Sequence, residues 1–264
     1  MRFLTGLLAL AATLSGFSVP SLAAADCSAG PGTARVLEVD PAGLEVGTKH
    51  FPQTLDLAEG EFVLTFDDGP SAGTTPMVLK ALAAGCVRAT FFLVGTRAAE
   101  SPALVKRILA EGHGVGYHSQ THPMTLADLP YDKAVRDIER GIVSVDRAAT
   151  GSSSASPHFP FFRFPGFGSS PQLLAYATNR KLGVFGADLW ASDWEPMTPE
   201  AELDLVLTRM AHVGRGIVLF HDTRLQTARM VPALLRAMKE RGYRVVHVVP
   251  RGVATAASPQ VAPQ

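Results

Sequence analysis

From Glu61 onward, short apolar runs alternate with longer stretches in which apolar residues recur every three or four positions. The runs are EFVLTF (61–66), ATFFLVG (89–95), HGVGYH (113–118), FPFFRF (159–164), LGVFGAD (182–188), GIVLFHD (216–222) and YRVVHVV (243–249). Each reads as a strand. Between them, Val135, Ile138, Ile142 and Val145 keep the helical step, as do Leu203, Val206, Leu207 and Met210. Thr75-Pro76, Ser101-Pro102, Ser170-Pro171 and Thr198-Pro199 each offer a hydroxyl at N-cap and proline at the first helical position. Gly85, Gly112 and Gly242 stand where helices should stop. Strand–helix alternation predicts a parallel sheet with right-handed crossovers. Strands apolar along their whole length are buried on both faces. An α/β barrel and a doubly wound sheet both satisfy this over about residues 61–250.

The ends read differently. Residues 1–25 have Arg2, an apolar stretch and then Ala23-Ala24-Ala25. This is the pattern of a secretory signal cleaved before Asp26. Ser15, Ser18 and Pro20 weaken the competing reading, a membrane anchor. The expected location is therefore secreted or periplasmic, with no membrane span after signal removal. Residues 26–60, containing RVLEVDPAGLEVGTKHF, are expected to form an N-terminal hairpin extension packed on the core. Gly151 to Pro157 is expected to be a flexible loop, and residues 251–264 a disordered tail.

Composition adds limits. The chain has 264 residues and is 47% hydrophobic, enough for one large core. Lysine plus arginine and aspartate plus glutamate balance at 24 each, which gives no electrostatic case for a nucleic-acid partner. Cys27 and Cys86 are the two cysteines. In an oxidising compartment they can pair and tie the mature N-terminus to the domain; two free thiols are the alternative.

Polar groups gather where the predicted strands end. Asp67-Asp68, His118, Arg163, Asp193-Trp194 and His221-Asp222 each follow an apolar run. In parallel α/β folds that edge carries the active site. His118 and His122 are spaced to face one point, a common way to hold a divalent metal. The pair needs a carboxylate, and Asp67-Asp68 is the available source. Neighbours on an extended chain point to different sides. One aspartate can then enter the metal shell while the other acts as general base toward a water that the metal activates.

Five motifs in this order resemble the NodB-type polysaccharide deacetylases, carbohydrate esterase family 4. They are TFDDGP (65–70), HSQTH (118–122), RFPG (163–166), SDW (192–194) and LFH (219–221). The resemblance implies a distorted (β/α)7 barrel as a deacetylase domain over residues 61–250. It implies a Zn²⁺ site, at times filled by another divalent metal such as Co²⁺. Asp68, His118 and His122 match the metal ligands and Asp67 the catalytic base. Arg163 matches the arginine that holds the base, His221 the catalytic acid and Asp193 the carboxylate that orients it. Trp194 and Leu219 match residues lining the acetyl pocket. One motif departs. After its proline the family usually has an aromatic residue, often Tyr, then Gly; here the run is Pro165-Gly166-Phe167-Gly168. Gly166 or Phe167 is then expected to offer the backbone N–H to the oxyanion. The missing side chain at Gly166 predicts a more open substrate wall.

The implied function is secreted, metal-dependent deacetylation of N-acetylated glycans: chitin oligomers, peptidoglycan or a surface polysaccharide. An O-acetyl esterase acting on acetylated xylan is a close variant. A non-catalytic glycan-binding relative would have lost Asp67 or His221, and both are present. A glycoside hydrolase would need carboxyls about 5–9.5 Å apart across the scissile bond, a poor match to adjacent residues. His50, His158, His212 and His247 read as surface or partly buried side chains, and the aromatics of 159–165 as core. Asp188 and Trp190 could either line the cleft or pack beneath it. Asp222 could fix the loop after His221.

Overall fold

The structure is a computed structural model describing residues 27–252. The signal reading and nearly all of the expected tail lie outside those residues. In chain order the elements are β1 (Thr33–Val39), β2 (Glu45–Val46), β3 (Glu61–Asp67), α1 (Thr75–Ala84), β4 (Thr90–Leu93), α2 (Gly95–Glu100), α3 (Pro102–Ala110) and β5 (Gly114–Tyr117). There follow α4 (Tyr131–Thr150), β6 (Phe161–Phe162), α5 (Pro171–Asn179), β7 (Gly183–Phe185), β8 (Leu189–Trp190), α6 (Pro199–Val213), β9 (Gly216–His221), α7 (Leu225–Glu240) and β10 (Arg244–Pro250). Every strand pairing is parallel.

Seven strands form the curved wall, in the order β8-β9-β3-β4-β5-β6-β7. Among the described residues no ladder joins β7 to β8, so the barrel is open there. The count of seven agrees with the sequence pattern, but one member differs. β8 belongs to the wall, and at two residues it is too short to show a period. YRVVHVV forms β10, which pairs with β1 along most of its length and meets β3 only through Arg244 and Val245.

Alternation along the strands separates two cores. Phe62, Leu64 and Phe66 of β3 face the helices with Val78, Leu79, Val231 and Leu234. Val63, Phe92, Phe161, Phe185 and Ile217 fill the barrel interior, joined by Val46, Leu55 and Leu57 from the N-terminal segment. A fully buried side chain of this size contributes about 1.5–3 kcal/mol.

The N-terminal strands do not make the expected hairpin. β1 pairs with β10 and β2 with β7. The reason lies in the open seam, where backbone groups without a neighbouring strand need partners. The segment after β2 supplies them. Lys49 N–H donates to the Ala187 carbonyl at 3.0 Å. Asp188 is buried and accepts from Thr48 N–H at 2.8 Å, Thr48 Oγ1 at 2.7 Å, Thr54 Oγ1 at 2.5 Å and Ile217 N–H at 2.7 Å. Asp188 is thus a clamp across the seam, with no carboxyl oxygen left for the cleft.

Cys27 and Cys86 are joined by a disulfide, with Cα atoms 5.2 Å apart. Of the four hydroxyl–proline starts, Ser170 and Thr198 cap their helices, accepting from Leu173 N–H and Ala201 N–H. Ser101 makes no side-chain cap, and Thr75 already lies inside α1. Among the described residues no helix is long and apolar enough to cross a membrane.

Candidate active site

The polar residues that follow the strands do converge. Asp67 is the last residue of β3, buried and facing inward with Thr65. Strict alternation would send Asp68 outward beside Phe66. Instead Asp68 takes a left-handed backbone, φ 74°, and its carboxylate swings back to the barrel mouth. Both aspartates then approach the same imidazole: His118 Nε2 lies 3.7 Å from Asp67 Oδ2 and 3.5 Å from Asp68 Oδ1. The turn is packed tightly. A Cβ on Gly69 would lie 2.2 Å from Asp222 Oδ2, and Asp222 is itself bonded to the Thr75 hydroxyl.

The two histidines sit in a loop rather than on a helix. Ser119 and His122 both have positive φ, 59° and 56°. Asp137 on α4 holds the loop, accepting from Gln120 N–H, Thr121 N–H and the Thr121 hydroxyl. His122 Nε2 lies 3.1 Å from Asp68 Oδ1. His118 Nδ1 donates to the Arg163 carbonyl at 2.7 Å. That bond fixes the tautomer and leaves the Nε2 lone pair aimed at the aspartates.

Asp68, His118 and His122 each offer one ligand atom, and these atoms lie within 4.8 Å of one another. Asp68 Oδ1 is buried, with no well-aligned hydrogen bond, and its nearest nitrogens are His122 Nε2 and His118 Nε2. A buried anionic oxygen of that kind calls for a cation. Two imidazole nitrogens and one carboxylate oxygen suit a divalent transition metal. Burial opposes charge on Asp68, but His122, His118 and His221 hold its carboxyl well below the usual range. Burial keeps His118 below its ordinary pKa despite the two aspartates, while Asp68 raises His122 against the same effect.

Arg163 is fully buried beneath the mouth. Its Nη1 donates to Asp67 Oδ1 at 2.7 Å and to Thr65 Oγ1 at 2.8 Å. Nε reaches the Phe185 carbonyl at 3.1 Å and Nη2 the Gly186 carbonyl at 2.8 Å. The guanidinium also lies 4.3 Å from the Phe92 ring centre. One oxygen of Asp67 is thereby committed, and the other faces the histidines.

His221 ends β9 on the far side of the mouth. Its Nδ1 is 2.7 Å from Asp193 Oδ1, and its backbone N–H donates to Asp193 Oδ2 at 2.7 Å. Burial opposes the imidazolium, but Asp193 outweighs it and His221 is raised to about 9.

The rim is aromatic. Trp194 is 43% exposed and stands edge-on to His221 at 6.1 Å, with Trp190 6.0 Å beyond. Leu219 is buried in β9 opposite Trp190. Phe167 stacks on His50 at 3.9 Å, so an N-terminal residue joins the rim. That contact had no sequence signal, because His50 lies far from every motif. A cavity of about 280 Å³ lies behind Trp190, lined by Lys49, Arg209 and His212. Gly166 corrects another expectation. Its backbone is left-handed, φ 54°, and a Cβ there would lie 2.7 Å from Met124 Cε. The exposed Met124 side chain therefore stands in the space that a side chain at Gly166 would take. The N–H of Phe167 donates to the Phe164 carbonyl at 2.9 Å.

An open parallel α/β barrel with an Asp-His-His cluster at its mouth carries its candidate site at the strand ends, as barrel enzymes do. Residues 55–184 match the polysaccharide deacetylase family, and the chain belongs to it. It is 31% identical over 185 residues to a peptidoglycan-N-acetylglucosamine deacetylase of Listeria monocytogenes, covering 70% of this chain and 37% of that protein. It is 33% identical over 194 residues to a chitooligosaccharide deacetylase of Sinorhizobium fredii, covering 68% and 86%. The solved peptidoglycan deacetylase of Bdellovibrio bacteriovorus superposes with a TM-score of 0.73 at 32% identity, over 85% of this chain and 60% of that one. This chain thus spans well under half of the Listeria relative's length.

Proposed function

We propose that the chain is a secreted, metal-dependent deacetylase of N-acetylated glycans, with residues 61–250 as its catalytic domain and 26–60 as the extension that closes the seam. The observation that carries this reading is the convergence of the buried Asp68 Oδ1 and two imidazole nitrogens on one point, with the Asp67–Arg163 and His221–Asp193 pairs on either side.

Asp68, His118 and His122 would hold the divalent cation, Zn²⁺ or Co²⁺. When bound there it supplies Lewis acidity at the acetyl carbonyl and makes water easier to deprotonate. Asp67 is the base. Arg163 occupies its Oδ1, which leaves Oδ2 to take the proton from the attacking water. Gly166 N–H is the oxyanion donor, since Phe167 N–H is spent in its own turn. Trp194 and Leu219 flank the acetyl group, with Phe167 on the rim. His221 is the acid: Asp193 takes its Nδ1–H, so Nε2–H protonates the leaving nitrogen. The C–N bond breaks, acetate departs and a free amino sugar remains.

An amine leaves only once protonated, and a histidine raised to about 9 is charged at neutral pH. This meets the requirement of the N-acetyl reading. The relatives described as peptidoglycan and chitooligosaccharide deacetylases support the same substrate class. The disulfide and the leader-like pattern of residues 1–25 support a secreted or periplasmic location.

The test measures acetate release from chitooligomers, peptidoglycan and acetyl-xylan. Release from the first two is expected to vanish on chelation and return with Zn²⁺ or Co²⁺. Turnover that survives complete metal removal overturns the mechanism, and release from acetyl-xylan alone overturns the substrate class.

A further inference from the structure

The His221–Asp193 pair continues inward. Thr227, in the first turn of α7, places Oγ1 2.9 Å from Asp193 Oδ2 and 2.8 Å from Glu202 Oε1 on α6. Glu202, Thr227 and Asp193 are all buried. A hydroxyl carries one proton and cannot donate to both carboxyls. If both were ionised, one of these two short contacts would set lone pair against lone pair. The chain therefore needs one more proton.

Its place follows from the partners. Asp193 already accepts from the His221 ring and from the His221 backbone. These two donors, with Thr227 as a third, favour its ionised form. Glu202 has nothing comparable. Its Oε2 is buried without a partner, and among the described residues no cation forms an ion pair with it. Burial disfavours its charge and pushes its carboxyl up to about 7. The proton then sits on Glu202, which donates to Thr227, and Thr227 donates to Asp193. The direction of each bond is set. Asp193 remains an ionised acceptor of three bonds, and His221 keeps Nδ1–H inward with Nε2 toward the cleft.

We propose that Glu202 is a positioning residue for His221, acting in its protonated form through Thr227 and Asp193. The consequence for turnover rests on the deacetylase reading above; the bonding chain itself does not.

The experiment is run at pH 6, where Glu202 is protonated, on the metal-loaded protein. Glu202→Leu and Thr227→Val are each expected to lower kcat on an N-acetylglucosamine oligomer by about 10-fold, a part of the 10²–10⁴ that a general acid supplies. KM should stay within about 2-fold, because neither side chain reaches substrate. Glu202→Gln should restore most of kcat, since its amide N–H can still donate to Thr227. A second reading needs no turnover. The downfield proton resonance of His221 Nδ1–H should persist in the unaltered protein and in Glu202→Gln. It should move upfield or exchange away in Thr227→Val and Glu202→Leu. The proposal is overturned if Glu202→Gln falls as far as Glu202→Leu, or if Thr227→Val leaves both kcat and the resonance unchanged. If the unaltered protein cleaves no acetylated glycan, the deacetylase reading fails by itself, and the resonance series still decides the chain.

Discussion

β5 carries a histidine at each end, and the two ends do different work. His113 precedes the strand and His118 follows it. Both are buried, and burial lowers the pKa of both. At the lower end His113 Nδ1 accepts from Ala89 N–H at 3.2 Å, so that nitrogen is unprotonated. His113 is pushed down to about 3, with His247, Arg88 and Arg107 as the positive groups that face it. His247 of β10 is pushed down to about 4, and its Nδ1 has no hydrogen-bond partner. At the upper end His118 Nδ1 is a donor, and the free nitrogen faces two carboxylates. The same side chain, five backbone steps away, changes from a packed neutral ring to a metal-ligand candidate. What differs is the company. The lower end packs against His247 of β10, and the upper end opens to the mouth where strand-end polar groups meet.

This contrast predicts that changes at the mouth cost activity and changes at the base cost stability. The largest expected effect is at the mouth. Asp67→Asn should reduce kcat by about 10²–10⁴, as loss of a general base does, while the protein still binds one metal ion per chain. A variant with near-normal kcat, measured beside its metal content, would remove Asp67 from the role of base.

The next effect is at the base. Replacing Cys27 and Cys86 together by Ser should lower unfolding free energy by about 2–4 kcal/mol in a denaturant titration, with kcat unchanged. A fall in kcat with stability intact would break the contrast.

The last effect depends on pH. The folded pKa values of His113 and His247 lie below the unfolded value near 6.5. Their contribution is therefore fully present above pH 6.5 and is lost as pH falls toward about 4 and then about 3. Each should take about 3 kcal/mol from stability by pH 4. His247→Gln should flatten the decline of the denaturation midpoint between pH 6.5 and 4. An identical slope in that variant would show that the base histidines do not set acid stability.

Several features were legible in the chain because they depend on near neighbours. Apolar runs gave the long strands β3, β4, β5 and β9, and the polar residues at their ends marked the mouth. The short spacing of His118 and His122 matched the loop that holds them. The pairing of Cys27 with Cys86 was one of two open alternatives, since their oxidation depends on a contact across 59 residues.

Other features had no local signature. β8 is too short for a period, and β10 has a strong period yet lies outside the seven-stranded wall. The N-terminal strands looked like a hairpin because a turn signal says that a chain reverses, not which strand it will meet. The open seam between β7 and β8 decided that, by offering unpaired backbone to Lys49 and a buried acceptor in Asp188. Met124 took the space beside Gly166 from a different loop, and Glu202 joined His221 through two intermediates on separate elements.

The sequence by itself determined the parallel α/β class, the edge where chemistry gathers and the residue types available there, because periodicity and strand ends are local properties. Only the tertiary structure decided where the Asp67 and Asp68 carboxylates stand. Alternation alone would have sent them to opposite faces, but a left-handed turn at Asp68 brings both carboxylates to His118, with Arg163 holding Asp67 and His122 beside Asp68. That placement depends on a buried arginine 96 residues away, and such a contact exists only once the barrel has formed.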